Sequence, residues 1–239
     1  MTINLPEFSM GFRVRPDSAD TDNGWQQVLN AIGDKQRPGI YRNGVKRGLD
    51  LMLIVLAAPV VVPVIAGLAL MVASEGGKPF YTQMRVGKGG RSFRMWKLRS
   101  MVTDADARME DHLAANPEAR KEWDQTQKLK KDPRITRIGA FLRRASLDEL
   151  PQLWNVMTGD MSLVGPRPMM PVQQGLYPGL AYYALRPGIT GAWQTAGRNK
   201  TTFEARAEFD AAYEASVTLA GDVKILAQTI GVVVKGTGY

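Results

Sequence analysis

From Leu51 to Ala73 the chain reads LMLIVLAAPVVVPVIAGLALMVA, without one charged side chain. As a helix, such a run is long enough to cross a hydrocarbon core of roughly 30 Å. It has no polar face, so an ordinary surface helix is excluded and a wholly soluble, buried helix fits poorly. Pro59 and Pro63 interrupt its middle. Each removes a backbone donor and crowds the preceding turn, which predicts a sharp bend there. Arg42, Lys46 and Arg47 precede the run, and Lys78, Arg85, Lys88, Arg91, Arg94, Lys97 and Arg99 follow it. Basic flanks favour the cytoplasmic side, and one straight span can satisfy only one of them. A re-entrant helix-break-helix, entering and leaving through one leaflet with its break at Pro63, satisfies both. A bitopic anchor with a proline kink is the competing topology.

The rest of the composition narrows the chemistry. The chain has 239 residues, a formal net charge of +8 and no cysteine. That charge suits a polyanionic partner, whether nucleic acid, an anionic membrane surface or a phosphorylated substrate. Without cysteine there are no disulfides, thiolate nucleophiles or Cys-ligated metals. The single histidine, His112, lies among helix formers and charges and reads as a solvated surface residue. Catalysis, if present, must use carboxylates, Lys and Arg, hydroxyls or an oxygen-ligated metal.

Three regions are expected. Residues 1–40 form a flexible arm with a short helix near Trp25 to Ile32, and lack the apolar core of a signal peptide. Residues 41–75 form the membrane helix, and residues 76–239 a small globular domain. Within that domain, extended pieces joined by a turn at Gly87 to Gly90 predict a basic strand pair, suited either to anionic lipid or to an active site. Residues 103–131 are highly charged and divided at Pro117, which predicts two short helices on the surface. Ile135, Ile138 and Leu142 mark another helix. Leu150, Leu153, Trp154 and Met157 recur at i, i+3, i+4, i+7 and mark the next, ended by Gly159. Further helices are expected over Phe203 to Ala215 and Asp222 to Lys235.

Asp148 and Glu149 lie within RRASLDELPQLWNVMTGDMSLVGPRP. Ser146 to Glu149 spells S-x-x-E, the capping box that satisfies orphan N–H groups at a helix start. Capping explains that spacing as well as catalysis does. Arg167, Arg186 and Arg198 each sit beside Gly or Pro, in turns that suit bidentate phosphate binding. A carboxylate in such surroundings can attack phosphorus, and a hard cation such as Mg²⁺ would relieve the repulsion between the anions.

K-R-x-x-D from Lys46 to Asp50, the apolar run with its central proline, FYTQMRVG, KLRSM, SLDELPQLWNVMTGDMSLVGPRP, RPGITG and GRN together resemble the bacterial sugar transferase family, the monotopic phosphoglycosyltransferases. The likeness runs from Lys46 to about Lys235. It implies a mainly helical α/β fold: a membrane-embedded re-entrant helix plus a small catalytic domain with short strands, at the cytoplasmic face of the bacterial inner membrane. It implies transfer of hexose 1-phosphate, galactose or glucose, from a UDP-sugar to undecaprenyl phosphate with release of UMP, starting exopolysaccharide synthesis. Carried over residue by residue, Asp148 is the covalent nucleophile and Glu149 its helper, both holding Mg²⁺. Arg143, Arg167 and Arg186, with Arg198 of GRN, take substrate phosphates; Asp210, Lys97 and Arg99 are site residues of less defined purpose. Pro63 matches the helix break, Pro59 is additional, and Val62 stands where the family carries Ser. The expected partners are the UDP-sugar, undecaprenyl phosphate, membrane lipid and a second copy in a homodimer, with no nucleic acid. A non-catalytic adaptor on anionic lipid is the alternative function.

Overall fold

A computed structural model describes residues 39–126, 129, 131–196, 203 and 205–234. The expected N-terminal arm, Arg198 and Lys235 lie outside these residues. The described chain is mainly helical, with two small sheets.

A π-helical turn, Tyr41–Val45, runs directly into helix α1, Lys46–Ala73. Together they make one helix long and apolar enough to cross a membrane. The expected interruption at Pro63 does not appear as a gap: helical torsions continue through Pro59 and Pro63. Proline's fixed φ suits a helix, and each proline removes only the bond to the carbonyl four residues back, here Val55 and Pro59. Both ends of α1 rest on the globular domain. Near the start Ile54 packs with Phe93, Met95, Val156 and Met161. Near the end Leu68, Ala69 and Val72 pack with Leu98 and Leu142. Between Val55 and Gly67 no residue is buried.

The predicted strand pair is an antiparallel hairpin, β1 Phe80–Val86 and β2 Ser92–Leu98. Gly89 and Gly90, with φ of 68° and 79°, supply the left-handed turn between them. Met95 and Leu98 of β2 are buried. The charged insertion folds as expected into α2, Ala105–Ala115, and α3, Pro117–Thr126. Helix α4, Arg137–Arg144, follows; Thr136 accepts from the Gly139 N–H at 2.8 Å and caps it.

Two expectations fail after α4. The S-x-x-E capping box is not formed: Ser146 is left-handed at φ 55°, makes no side-chain cap bond, and leads into a 3₁₀ turn, Leu147–Glu149. The next helix, α5, Gln152–Thr158, starts after Pro151, which favours the first turn of a helix and delays the start past the acids. The expected apolar stripe is also split: Leu150 and Leu153 pack against the core, while its other half is turned outward. Trp154 is 60% exposed and Met157 is exposed, while Gln152, Asn155 and Val156 are buried. Asn155 is inside because its amide completes the open edge of β2, accepting from the Trp96 N–H at 2.9 Å and donating to the Arg94 carbonyl at 2.8 Å.

Beyond α5, β3 Ser162–Val164 pairs in parallel with β4 Gly188–Thr190. The pairing brings the Gly165 and Gly188 turns into backbone contact. A Cβ on Gly165 would lie 2.3 Å from the Arg186 carbonyl oxygen, and one on Gly188 2.1 Å from the Gly165 nitrogen. Helices α6 Ala181–Ala184, α7 Ala192–Ala196, α8 Arg206–Ala215 and α9 Leu219–Val234 complete the domain. Helix α9 also fastens the beginning of α1. Asp222 accepts from Tyr41 at 2.7 Å and Tyr213 at 2.6 Å, and its carboxylate lies 2.5 Å from the Lys46 ammonium.

Candidate active site

The turn that breaks the capping box gives Asp148 and Glu149 their surroundings. Ser146 is the one described non-glycine residue at positive φ, a conformation that costs an L-residue about 1 kcal/mol or more and concentrates at functional sites. Asp148 is only 7% exposed, while Glu149 is half-buried. Lys97 of β2 faces both: its Nζ lies 2.7 Å from Glu149 Oε1 and 3.6 Å from Asp148 Oδ2. Arg143, near the end of α4, donates through Nε to Ser100 Oγ at 2.9 Å and adds positive charge beside Asp148.

The electrostatics are finely opposed. Burial pushes the Asp148 carboxyl above the ordinary carboxylate range, and Glu149 adds to that, while Lys97 and Arg143 hold it down. Burial works against the Lys97 ammonium too, but Glu149 and then Asp148 outweigh it and raise its pKa. The lysine therefore stays charged, and its charge opposes the burial that raises the Asp148 carboxyl.

A group of arginines adjoins this centre. Burial and then the charge of Arg167 weaken Arg85's hold on its proton, with Glu149 acting the other way. Arg206 is buried, stacks over Trp193 and Phe203, and donates through Nη2 to the Arg167 carbonyl at 2.5 Å. Its pKa is lowered first by burial and further by Arg167, with Asp210 opposing. Arg85 and Arg206 each keep a buried Nε with no hydrogen-bond partner among the described residues. Two buried guanidiniums, Arg85 and Arg206, both weakened by the nearby charge of Arg167, make a place where an incoming anion is stabilised. Asp210 is buried, accepts from Tyr177 at 2.9 Å, and has its pKa raised by burial to about 6.

The expected site residues thus divide. Asp148, Glu149, Lys97 and Arg143 form the centre, with Arg167 and Asp210 in the adjoining arginine network. Arg99 is engaged elsewhere, donating to the Val72 carbonyl at 2.9 Å where it complements the C-terminal end of α1. Arg186 donates through Nε to the Gly159 carbonyl at 2.9 Å and lines a different cavity, beside Arg42, Lys46, Arg47 and Lys88. Arg85 and Arg206 were not singled out from the sequence. Arg85 lies inside the FYTQMRVG motif, which is a readable signal; Arg206 lies in an ordinary amphipathic helix, which is none.

A magnesium ion can be tested against these donors. No group of three or more acidic or His side chains placed to hold a metal ion occurs among the described residues. Mg²⁺ is commonly bound by one or two carboxylates plus substrate phosphates, and the hard oxygens of Asp148 and Glu149 fit that pattern.

The K-R-x-x-D motif also has a structural reading. Lys46 pairs with Asp222, and Arg47 donates to the Val156 and Met157 carbonyls at the end of α5. Asp50 accepts from Ser162 at 2.6 Å.

Comparison with known proteins bears on the chain as a whole. A family model described as bacterial sugar transferase matches residues 41–236. The chain is 47% identical over 196 residues to the UDP-galactose-lipid carrier transferase of Erwinia amylovora, covering 81% of this chain and 41% of that protein. It is 42% identical to the undecaprenyl-phosphate galactose phosphotransferase of Salmonella typhimurium, covering 81% and 41%. It is 41% identical to the exopolysaccharide production protein ExoY of Rhizobium meliloti, covering 81% and 87%. The chain therefore matches about two-fifths of the first two relatives and most of the third.

Proposed function

The chain belongs to the bacterial sugar transferase family, and from that premise we propose that it moves hexose 1-phosphate from a UDP-sugar to undecaprenyl phosphate, initiating exopolysaccharide synthesis. The observation that carries this reading is the buried Asp148 held beside the Lys97 ammonium, next to arginines with unsatisfied donors. In the first step an Asp148 oxygen attacks the phosphorus that bears the sugar. The bond from that phosphorus to the bridging oxygen breaks, and UMP leaves with the electron pair. In the second step a phosphate oxygen of undecaprenyl phosphate attacks the same phosphorus, which releases the Asp148 carboxylate and forms the diphosphate-linked sugar.

Each neighbour has a task. Lys97 favours the ionised form of Asp148 that attack requires, against the pull of burial. Arg143, Arg85 and Arg167 take the charge of the diphosphate, where planar forks and a water-poor setting count most. Asp148 and Glu149 would hold Mg²⁺ together with substrate phosphates, and the ion would supply neutralisation of phosphate charge. Glu149 assists proton handling at the acceptor.

The membrane part is read from α1. Its two ends rest on one domain while no residue of its middle is buried, which supports a re-entrant path at the cytoplasmic leaflet of the inner membrane. The outward Phe141, Trp154 and Met157 suit the same apolar phase.

The decisive experiment uses Asp148→Asn with radiolabelled UDP-galactose and UDP-glucose. The wild-type chain with Mg²⁺ and no lipid acceptor should trap label on protein, and full turnover should require undecaprenyl phosphate. Asp148→Asn, which keeps shape and loses the nucleophile, should fold and associate with membranes yet neither trap label nor release UMP. Turnover above about a tenth of wild type, a barrier change of less than about 1.4 kcal/mol, would sink covalent catalysis at Asp148. Absence of UMP release from the wild type with either sugar would favour a non-catalytic lipid-surface adaptor.

A further inference from the structure

Where α1 meets the domain at its N-terminal end there is a half-open cavity of about 270 Å³, separate in its lining from the Asp148 centre. Five cations line it, Arg42, Lys46, Arg47, Lys88 and Arg186, against one carboxylate, Asp50. Lys46 and Arg42 are balanced by Asp222 and Glu214. The other three have no carboxylate partner among the described residues: Arg47 and Arg186 donate to backbone carbonyls, and Lys88 stands in the exposed hairpin turn. Asp50 is buried and already accepts from Ser162. Arg42 keeps a buried Nη2 with no hydrogen-bond partner among the described residues.

We propose that this cavity is a second phosphate site, formed by Lys88, Arg186, Arg47 and Arg42, which takes the phosphodiester of an anionic glycerophospholipid at the foot of α1. The choice of source follows from position. Asp50 lines the cavity and the uncharged run begins at the next residue, so the cations stand where a helix entering lipid would pass the headgroup phosphates. The source rests on the membrane reading of α1; the charge of the cavity does not. Arg186, expected among the substrate ligands, is reassigned by this reading to the lipid.

The test is a titration of the full-length protein in neutral detergent, followed by thermal unfolding. The probes are short-chain phosphatidylglycerol, short-chain phosphatidylcholine and inorganic phosphate. Phosphatidylglycerol should stabilise the wild type saturably and phosphatidylcholine should not. Lys88→Glu should weaken the phosphatidylglycerol effect about tenfold or more, the loss of one charge-assisted contact plus a new repulsion. Arg91→Glu, in the same turn but outside the lining, makes the same charge change and should shift it by no more than about twofold. Equal losses in the two variants would reduce the effect to general surface charge and overturn the site, as would no loss in either. Stabilisation by inorganic phosphate as strong as by phosphatidylglycerol would keep a phosphate site but overturn the lipid as its source. A chain that stays in solution without detergent would defeat the membrane reading, while the phosphate arm would still report on the cavity.

Discussion

Lys97 is the side chain on which the two carboxylates depend most directly. Removing its charge leaves Asp148 buried, with Glu149 still beside it and the opposing charge of Lys97 gone, so its pKa must rise further. In Lys97→Met the acid limb of the kcat/KM profile should therefore move to higher pH, with turnover near neutrality down by about tenfold or more. An unmoved limb would detach Lys97 from Asp148 ionisation. Asp210 offers a stability measurement of opposite character. Its folded pKa is raised from 3.8 to about 6, so the fold prefers the protonated acid. Below pH 3.8 both states hold the proton and nothing is lost; between 3.8 and 6 the unfolded chain ionises first and stability falls; above 6 the loss is complete. Asp210→Asn keeps an acceptor for Tyr177 and cannot ionise. Its melting temperature should match wild type near pH 4 and exceed it at pH 7.5, by up to about 3 kcal/mol in stability. A gap that does not widen with pH would contradict the raised pKa.

Helix α4 approaches the segment just after β2 through a missing side chain. A Cβ on Gly139 would fall 2.0 Å from the Ser100 carbonyl oxygen, so Gly139→Ala must push α4 away. In an open helix that change would stabilise by about 1 kcal/mol; here it should destabilise by about 2 kcal/mol and loosen the Arg143 bond to Ser100, lowering activity as well. Thermal unfolding and turnover of the variant check both effects. Such close approaches depend on tertiary partners, and they mark the boundary of what the sequence could disclose. The hairpin was legible because Phe93 and Met95 alternate with bases and glycines mark its turn, and the two insertion helices because Pro117 separates charged helix formers. The S-x-x-E box misled because its spacing is local, whereas the left-handed Ser146 is set by how α4 hands the chain to a 3₁₀ turn. Parallel pairing of two three-residue strands carries no periodic signal at all. Of the apolar positions at and before α5, Leu150 and Leu153 pack inward, but Trp154 and Met157 face out because Asn155 had a backbone edge to satisfy. Asp148 and Glu149 stood out by resemblance; Lys97 was expected at the site without a defined purpose, and its pairing with both acids shows only in the fold.

The molecule as a whole is arranged around α1, which meets the domain twice. Cysteines placed at Gly44 and Glu75 bracket the helix at exposed positions of a chain that has no cysteine of its own. A membrane-impermeant maleimide should reach both from the cytoplasmic side only; labelling of the two from opposite sides would establish a spanning helix. The grip on the first turns of α1 comes from Asp222, which is 181 residues beyond Tyr41 and 176 beyond Lys46. Translation at roughly 5–20 residues per second places that partner on the order of ten to thirty seconds behind the helix it holds. During that interval the apolar segment exists without its counter-ion, and Lys46 carries an unanswered charge at the rim of a nascent hydrophobic stretch. Biogenesis must shelter the segment until α9 emerges, so on the proposed membrane reading the last helix described is the clasp that closes after α1 has found its place.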